Sequence, residues 1–164
     1  MSVPVGEREE GKFSLLIKAE SLARYTIEIT ANEKVFLPEY RKQVTDDIVE
    51  TAKNIYLGIR EANDVNVRVG TPFQLSDYRE RNNLQRQALR NCKRLLYLID
   101  LAHRIFHLSS RRVAYWGQMV VNVKNRVCGW INSSPWPGAY FATSVCTGAK
   151  STILPLCSSR FHSK

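Results

Sequence analysis

The sequence predicts an all-α fold, an antiparallel up-down-up-down four-helix bundle with an irregular C-terminal tail. Three observations carry that prediction. Four segments repeat apolar residues at three- and four-residue steps, only a short link separates the long third and fourth segments, and no β-rich hairpin signal interrupts them before residue 132. The chain has 164 residues, 44% hydrophobic and 24% charged, which suits one domain with its own core and not a disordered chain. The expected organisation is a flexible N-terminus over 1–11, the bundle over 12–132 and a flexible or loosely packed tail over 133–164.

The first helix is expected over 12–31, with Leu15, Leu16, Ala19, Leu22, Ala23, Thr26, Ile29 and Thr30 recurring on one side. A turn over 32–38 ends it, because Pro38 lacks the N–H a continuing helix needs, although proline suits the start of the next one. The second helix, over 38–62, carries a stripe of Val44, Ile48, Thr51, Ala52, Ile55, Ile59 and Ala62. Asp46, Asp47 and Glu50 lie in its first half, where carboxylates meet the positive end of the helix dipole. Asn63 and Asp64 supply a stop, and a loop with Gly70, Thr71 and Pro72 follows.

The third and longest helix is expected over 76–107, with Ser76 as N-cap and Asp77 and Glu80 in its first turn. Leu84, Ala88, Leu95, Leu98, Ile99, Ala102 and Ile105 face one way, and Leu89, Cys92 and Leu96 widen that arc. Ser109 or Ser110 caps the fourth helix, whose stripe is Val113, Trp116, Val120, Val123, Val127 and Trp130. Gly117 and Gly129 lie within it. A helical glycine costs about 1 kcal/mol relative to alanine, so both are expected to permit close approach of another helix, and Gly129 beside Trp130 suggests contact between bundles. From Asn132 onward the chain is rich in Ser, Pro, Gly and Thr, has no helical period and holds no acidic residue.

No apolar run approaches the ~20 residues that span a bilayer. The opening MSVPVGEREEGK is polar and mixed in charge, unlike a signal peptide, so the expected location is the cytoplasm. Cys92, Cys128, Cys146 and Cys157 form no CxxC pair and are read as reduced thiols.

The net charge is +9, and it is unevenly spread. Residues 1–77 hold 10 basic and 13 acidic side chains, whereas residues 78–126 hold 11 basic and 2 acidic ones. Such asymmetry points to an anionic partner, with nucleic acid the default where no membrane segment exists. Set on a wheel of about 100° per residue with Arg79 at zero, Arg86, Arg90, Lys93, Arg94 and Arg104 fall within about −40° to +60°. Tyr97 shares that face, where it could stack on an unpaired base. Arg111 and Arg112 add charge at the following link, and Lys124 and Arg126 on the fourth helix. Arginine's planar fork suits phosphate and base stacking. The competing reading is charge pairing with the acidic first half, within the bundle or across a subunit interface.

Enzyme constellations are poorly represented, so no catalytic residue, metal or cofactor is expected. There is no Gly-rich phosphate loop, no GxSxG elbow and no HExxH pair. Asp46 and Asp47 are adjacent and diverge on a helix. His103 and His107 have a metal-compatible spacing without an accompanying carboxylate. A helical-bundle ribonuclease would place an arginine four to six residues before a histidine; Ile99 and Leu101 stand where it would be needed.

The segments ARYTIEIT, FLPEYRKQVTDDIVETAKNIYLGIREAN and RQALRNCKRLLYLIDLAHRIFHLSSRRVAYWGQMVVNVKNRVCGWINS resemble a bacterial four-helix bundle family. It includes the accessory variability determinant (Avd) proteins of diversity-generating retroelements and the proteins encoded in rRNA intervening sequences. The resemblance spans roughly 13–132 and rests on the turn at Pro38 and on the ending Gly129-Trp130-Ile131. It implies a pentameric ring of bundles with a basic surface, partnered by a reverse transcriptase and its template RNA or cDNA, with catalysis belonging to the polymerase. The family usually ends near the Trp-Ile pair, so nothing is implied for the tail. Two other functions stand beside it: a protein-interaction adaptor with no nucleic-acid role, and a helical ribonuclease.

Overall fold

The computed structural model of the chain describes residues 5–133, with side chains from residue 14 onward. It contains α1 (Val5–Thr30), a single 3₁₀ turn (Pro38–Tyr40), a π-helical turn (Arg41–Thr45), α2 (Asp46–Asp64), α3 (Gln74–Phe106) and α4 (Ser110–Ser133), with no strand among the described residues. α1 packs on α2 and α4, and α3 packs on the same two. Each link reverses the chain. Asp47 at the start of α2 meets Arg94 in the second half of α3, Val65 just after α2 accepts a hydrogen bond from Arg81 near the start of α3, and Trp116 near the start of α4 reaches Thr26 near the end of α1. This is the antiparallel four-helix bundle that the apolar periodicity predicts.

The stripes meet in one core. Leu22, Ile48, Ile55, Leu95, Val120 and Val127 are fully buried, with small side chains Ala19, Ala52, Ala88 and Ala102 between them. Trp116 is the largest buried side chain and carries the main polar obligation of the core. Its indole N–H donates to Thr26 Oγ1 at 3.0 Å, and the Thr26 hydroxyl donates to the Leu22 carbonyl at 2.8 Å. Tyr25 and Phe36 stand edge-on to the indole, each with its centroid at 6.5 Å. Phe36 also packs on Phe106 at 4.8 Å, and Phe106 on Tyr40 at 5.9 Å. Aromatic rings therefore tie the α1–α2 link to the end of α3 and the start of α4.

Several local expectations change. α1 begins at Val5, inside the segment expected to be flexible over 1–11. The second helical segment does open on Pro38, but as a 3₁₀ turn and then a π turn before α2 proper. Arg41 sits at that junction between Glu33 at 3.7 Å and Asp46 at 3.7 Å. α3 begins at Gln74, and Ser76 caps nothing: its hydroxyl donates to the Phe73 carbonyl at 2.7 Å. Asp77 does more than favour the dipole. It takes the Arg68 guanidinium in a two-pronged grip at 2.7 and 2.8 Å and the Arg68 backbone N–H at 3.2 Å, which closes the α2–α3 loop. Arg68 also lies over the Phe73 ring at 4.6 Å. Gly70 has a φ of 78° in that loop, a conformation only glycine adopts without strain.

Gly117 and Gly129 are not close-packing positions among the described residues, where a Cβ added at either would meet nothing within 4 Å. Gly58 is the glycine that faces a neighbour, where a Cβ would lie 3.7 Å from Ala88 Cβ. α3 ends at His107, a non-glycine residue with a φ of 49°. His107 is exposed there, whereas His103 is half-buried within α3. Cys92 is buried and Cys128 half-buried, both as free thiols, and burial, seconded by Cys128, pushes the Cys92 thiol up to about 12. Cys146, Cys157 and the tail expected to be flexible lie outside the described residues.

Three stability outcomes are expected. Thr26→Val leaves the buried indole N–H without an acceptor and should cost about 1–3 kcal/mol, against about 3–5 kcal/mol for Trp116→Ala, measured by urea unfolding. Gly117→Ala should stabilise by about 0.5–1 kcal/mol, since the helix gains propensity and no atom is displaced; a lower melting temperature would mean that something does pack there. The Arg68 guanidinium holds the Asp77 carboxyl down at about 2, aided by the Arg68 backbone N–H and opposed by partial burial. The folded value lies below the unfolded one of about 3.9. The contribution is therefore present above about pH 4 and lost as pH falls toward 2. Asp77→Asn should be less stable at neutral pH and should flatten the stability–pH curve across that window.

Candidate nucleic-acid interface

α3 is long enough to present two different faces for its whole length. Ala88, Cys92, Leu95, Ile99 and Ala102 point into the core. Arg79, Arg86, Arg90, Lys93, Arg94, Tyr97 and Arg104 are all exposed on the opposite side. The periodicity alone placed these seven together, and the packing of α3 between α2 and α4 leaves that side uncovered among the described residues.

The cations differ in what they do. Arg94 reaches Asp47 of α2 at 3.3 Å, and Arg104 reaches Asp100 one turn back at 3.0 Å. Arg94 and Arg104 thus have acidic partners, as the charge-pairing reading requires. Both pairs are well exposed, and such pairs contribute about 0–1 kcal/mol, so they exchange readily for another anion. Arg86 donates through Nε to the neutral Asn82 amide oxygen at 3.0 Å, which orients the guanidinium without neutralising it. Arg90 and Lys93 form no ion pair among the described residues. Tyr97 is 76% exposed in the middle of this surface. The neighbouring Arg81 is not part of it: half-buried, it turns to the Val65 carbonyl, and burial lowers its pKa.

The expected continuation onto α4 is only partial. Lys124 is half-buried on the side of α4 that faces α3, near enough to Cys92 to favour its thiolate. Arg126 lies elsewhere. Tyr115 of α4 packs its ring on Tyr25 of α1 at 5.2 Å, and Arg126, eleven residues on, points within about 20° of Tyr115. Arg126 therefore faces the α1 side, a helix-width from the α3 stripe. Arg111 and Arg112 occupy the first turn of α4, at the end of the bundle. Arg112 lines a cleft of about 310 Å³ there with Lys34, His107, Ser109 and the side of Phe106. Cations at a helix N-terminus oppose its dipole, so this pair is not explained by the stability of α4.

Among the described residues no group of three or more His, Cys, Asp or Glu side chains is arranged to hold a metal ion. No helix among them is long and apolar enough to cross a membrane. No protein-family model, curated protein or solved structure matches this chain.

Proposed function

We propose that this chain is a non-catalytic accessory scaffold that binds nucleic acid along the outward face of α3. The observation that carries the reading is the run Arg86, Arg90 and Lys93: three exposed cations on successive turns, none in an ion pair among the described residues. An ordinary solvated helix face interleaves both signs at four-residue spacing, which lowers its energy. A run of like charge forgoes that gain and favours phosphates instead. Arg94 and Arg104 can join the run by releasing weak partners, and Arg79, Lys124, Arg111 and Arg112 flank it.

The resemblance to the Avd and intervening-sequence bundles supplies the finer part of the proposal. In that reading the partners are a reverse transcriptase and its template RNA or cDNA in the cytoplasm. The polymerase performs the chemistry, and copies of the bundle associate as a homo-oligomer, a pentamer by the resemblance.

With three to four phosphates contacted, affinity should fall with salt at a log–log slope of about −2 to −4, the range set by about 0.7 to 0.9 per phosphate. Reversing Arg86, Arg90 and Lys93 to Glu should weaken RNA or DNA binding more than tenfold and bring the slope near zero, with helicity unchanged. Reversing Arg24, Lys53 and Arg60, an equal change in net charge on α1 and α2, should do far less. Equal losses from both triples would reduce the effect to net charge. Absence of any binding at low salt, with capture of an acidic protein instead, would establish the adaptor role.

A further inference from the structure

We propose that the α3 face takes single-stranded nucleic acid, with one base stacked on Tyr97. This deepens the nucleic-acid reading and rests on it. Tyr97 is 76% exposed and Leu101, one turn on, is 44% exposed. Both lie on the outward side of α3, whose other large apolar side chains beyond its first turn are buried or half-buried. Tyr97 has no ring contact and no hydrogen bond among the described residues, unlike Tyr25, Tyr40, Tyr56 and Tyr115, which each have a ring or hydrogen-bond partner. Its ring is therefore not held by the fold.

The cations beside it give the ring a setting. Lys93 stands one turn before Tyr97, about 6 Å along the helix axis, and Arg90 stands about another turn earlier. Phosphates bound at Arg90 and Lys93 would bring the next part of the strand over Tyr97 and Leu101, an apolar platform at the end of the unpaired charge. A duplex presents phosphates outward and keeps its base faces stacked inside, so it would use the cations and leave the ring without a partner. A single strand offers both phosphates and an uncovered base. Stacking of a base on an aromatic side chain contributes about 1–3 kcal/mol, which corresponds to roughly 5- to 150-fold in affinity.

The experiment is fluorescence anisotropy with a 12-nucleotide RNA and a 12-base-pair duplex at low salt. It uses the full chain, Tyr97→Ala, Tyr97→Phe and the Arg86, Arg90 and Lys93 reversal. Tyr97→Ala is expected to weaken the single strand about fivefold or more and to leave the duplex within about twofold, while Tyr97→Phe keeps the wild-type affinity. A strand carrying 2-aminopurine should be quenched on binding to wild type and to Tyr97→Phe, and much less on binding to Tyr97→Ala. If Tyr97→Ala binds the strand as wild type does, or lowers both ligands alike, base stacking is wrong even though the triple reversal abolishes binding. If neither ligand binds wild type, the nucleic-acid reading itself falls, and this inference with it. Tyr97 is solvent-exposed, so folding of the variants is checked by circular dichroism and is expected to be unchanged.

Discussion

A tryptophan placed wholly inside a small bundle brings one N–H that must be satisfied, and the way Trp116 satisfies it organises much of this molecule. The acceptor is Thr26, whose hydroxyl hydrogen already belongs to the Leu22 carbonyl, leaving the oxygen lone pair turned toward α4. That single geometry fixes the relative height of α1 and α4, the first and last helices in the chain. An indole surrounded only by Leu and Val would leave the N–H orphaned at a cost comparable to a lost hydrogen bond. The rings of Tyr25 and Phe36 then fill the space around the indole, and Phe36 passes the contact to Phe106 at the end of α3. Three helices, α1, α3 and α4, together with the α1–α2 link, are in this way referred to one end of the bundle.

The opposite end is closed by electrostatics. Between α2 and α3 the loop has few buried apolar groups, and the Arg68–Asp77 pair does the closing, with the guanidinium over the Phe73 ring. Asp77 is nearly buried, while Arg68 remains half in solvent. The two ends should therefore respond to different conditions: the aromatic end to temperature and denaturant, the loop end to acid.

The apolar stripes were legible because burial follows the 3.6-residue period, and almost every residue assigned to a stripe is buried or half-buried. The Arg68–Asp77 closure was not, since its partners are nine residues apart across an irregular loop and no period links them. Ser76 misled because capping preferences describe which residue types suit a helix start, whereas α3 begins two residues earlier with no side-chain cap and the Ser76 hydroxyl turned back to the Phe73 carbonyl. For Gly117 and Gly129 the helical cost of glycine was legible, but whether any neighbour approaches depends on packing that no single-helix pattern contains, and no described residue of this chain meets them. For the candidate interface, the α3 stripe could be read from one wheel, while the side taken by Arg126 depended on knowing which flank of α4 faces α1.

α3 shows why a charged surface of this kind can coexist with a stable fold. Its inward residues make the contacts with α2 and α4, while outward Arg94 and Arg104 form weak surface pairs with Asp47 and Asp100. Like charges one turn apart each cost a few tenths of a kcal/mol in an isolated helix. A helix of 33 residues held on two flanks by core packing absorbs that repulsion. A short, weakly packed helix would fray under it. The length of α3, and not any feature of the cations themselves, is what allows a run of unneutralised charge and an exposed tyrosine to be displayed in a fixed line.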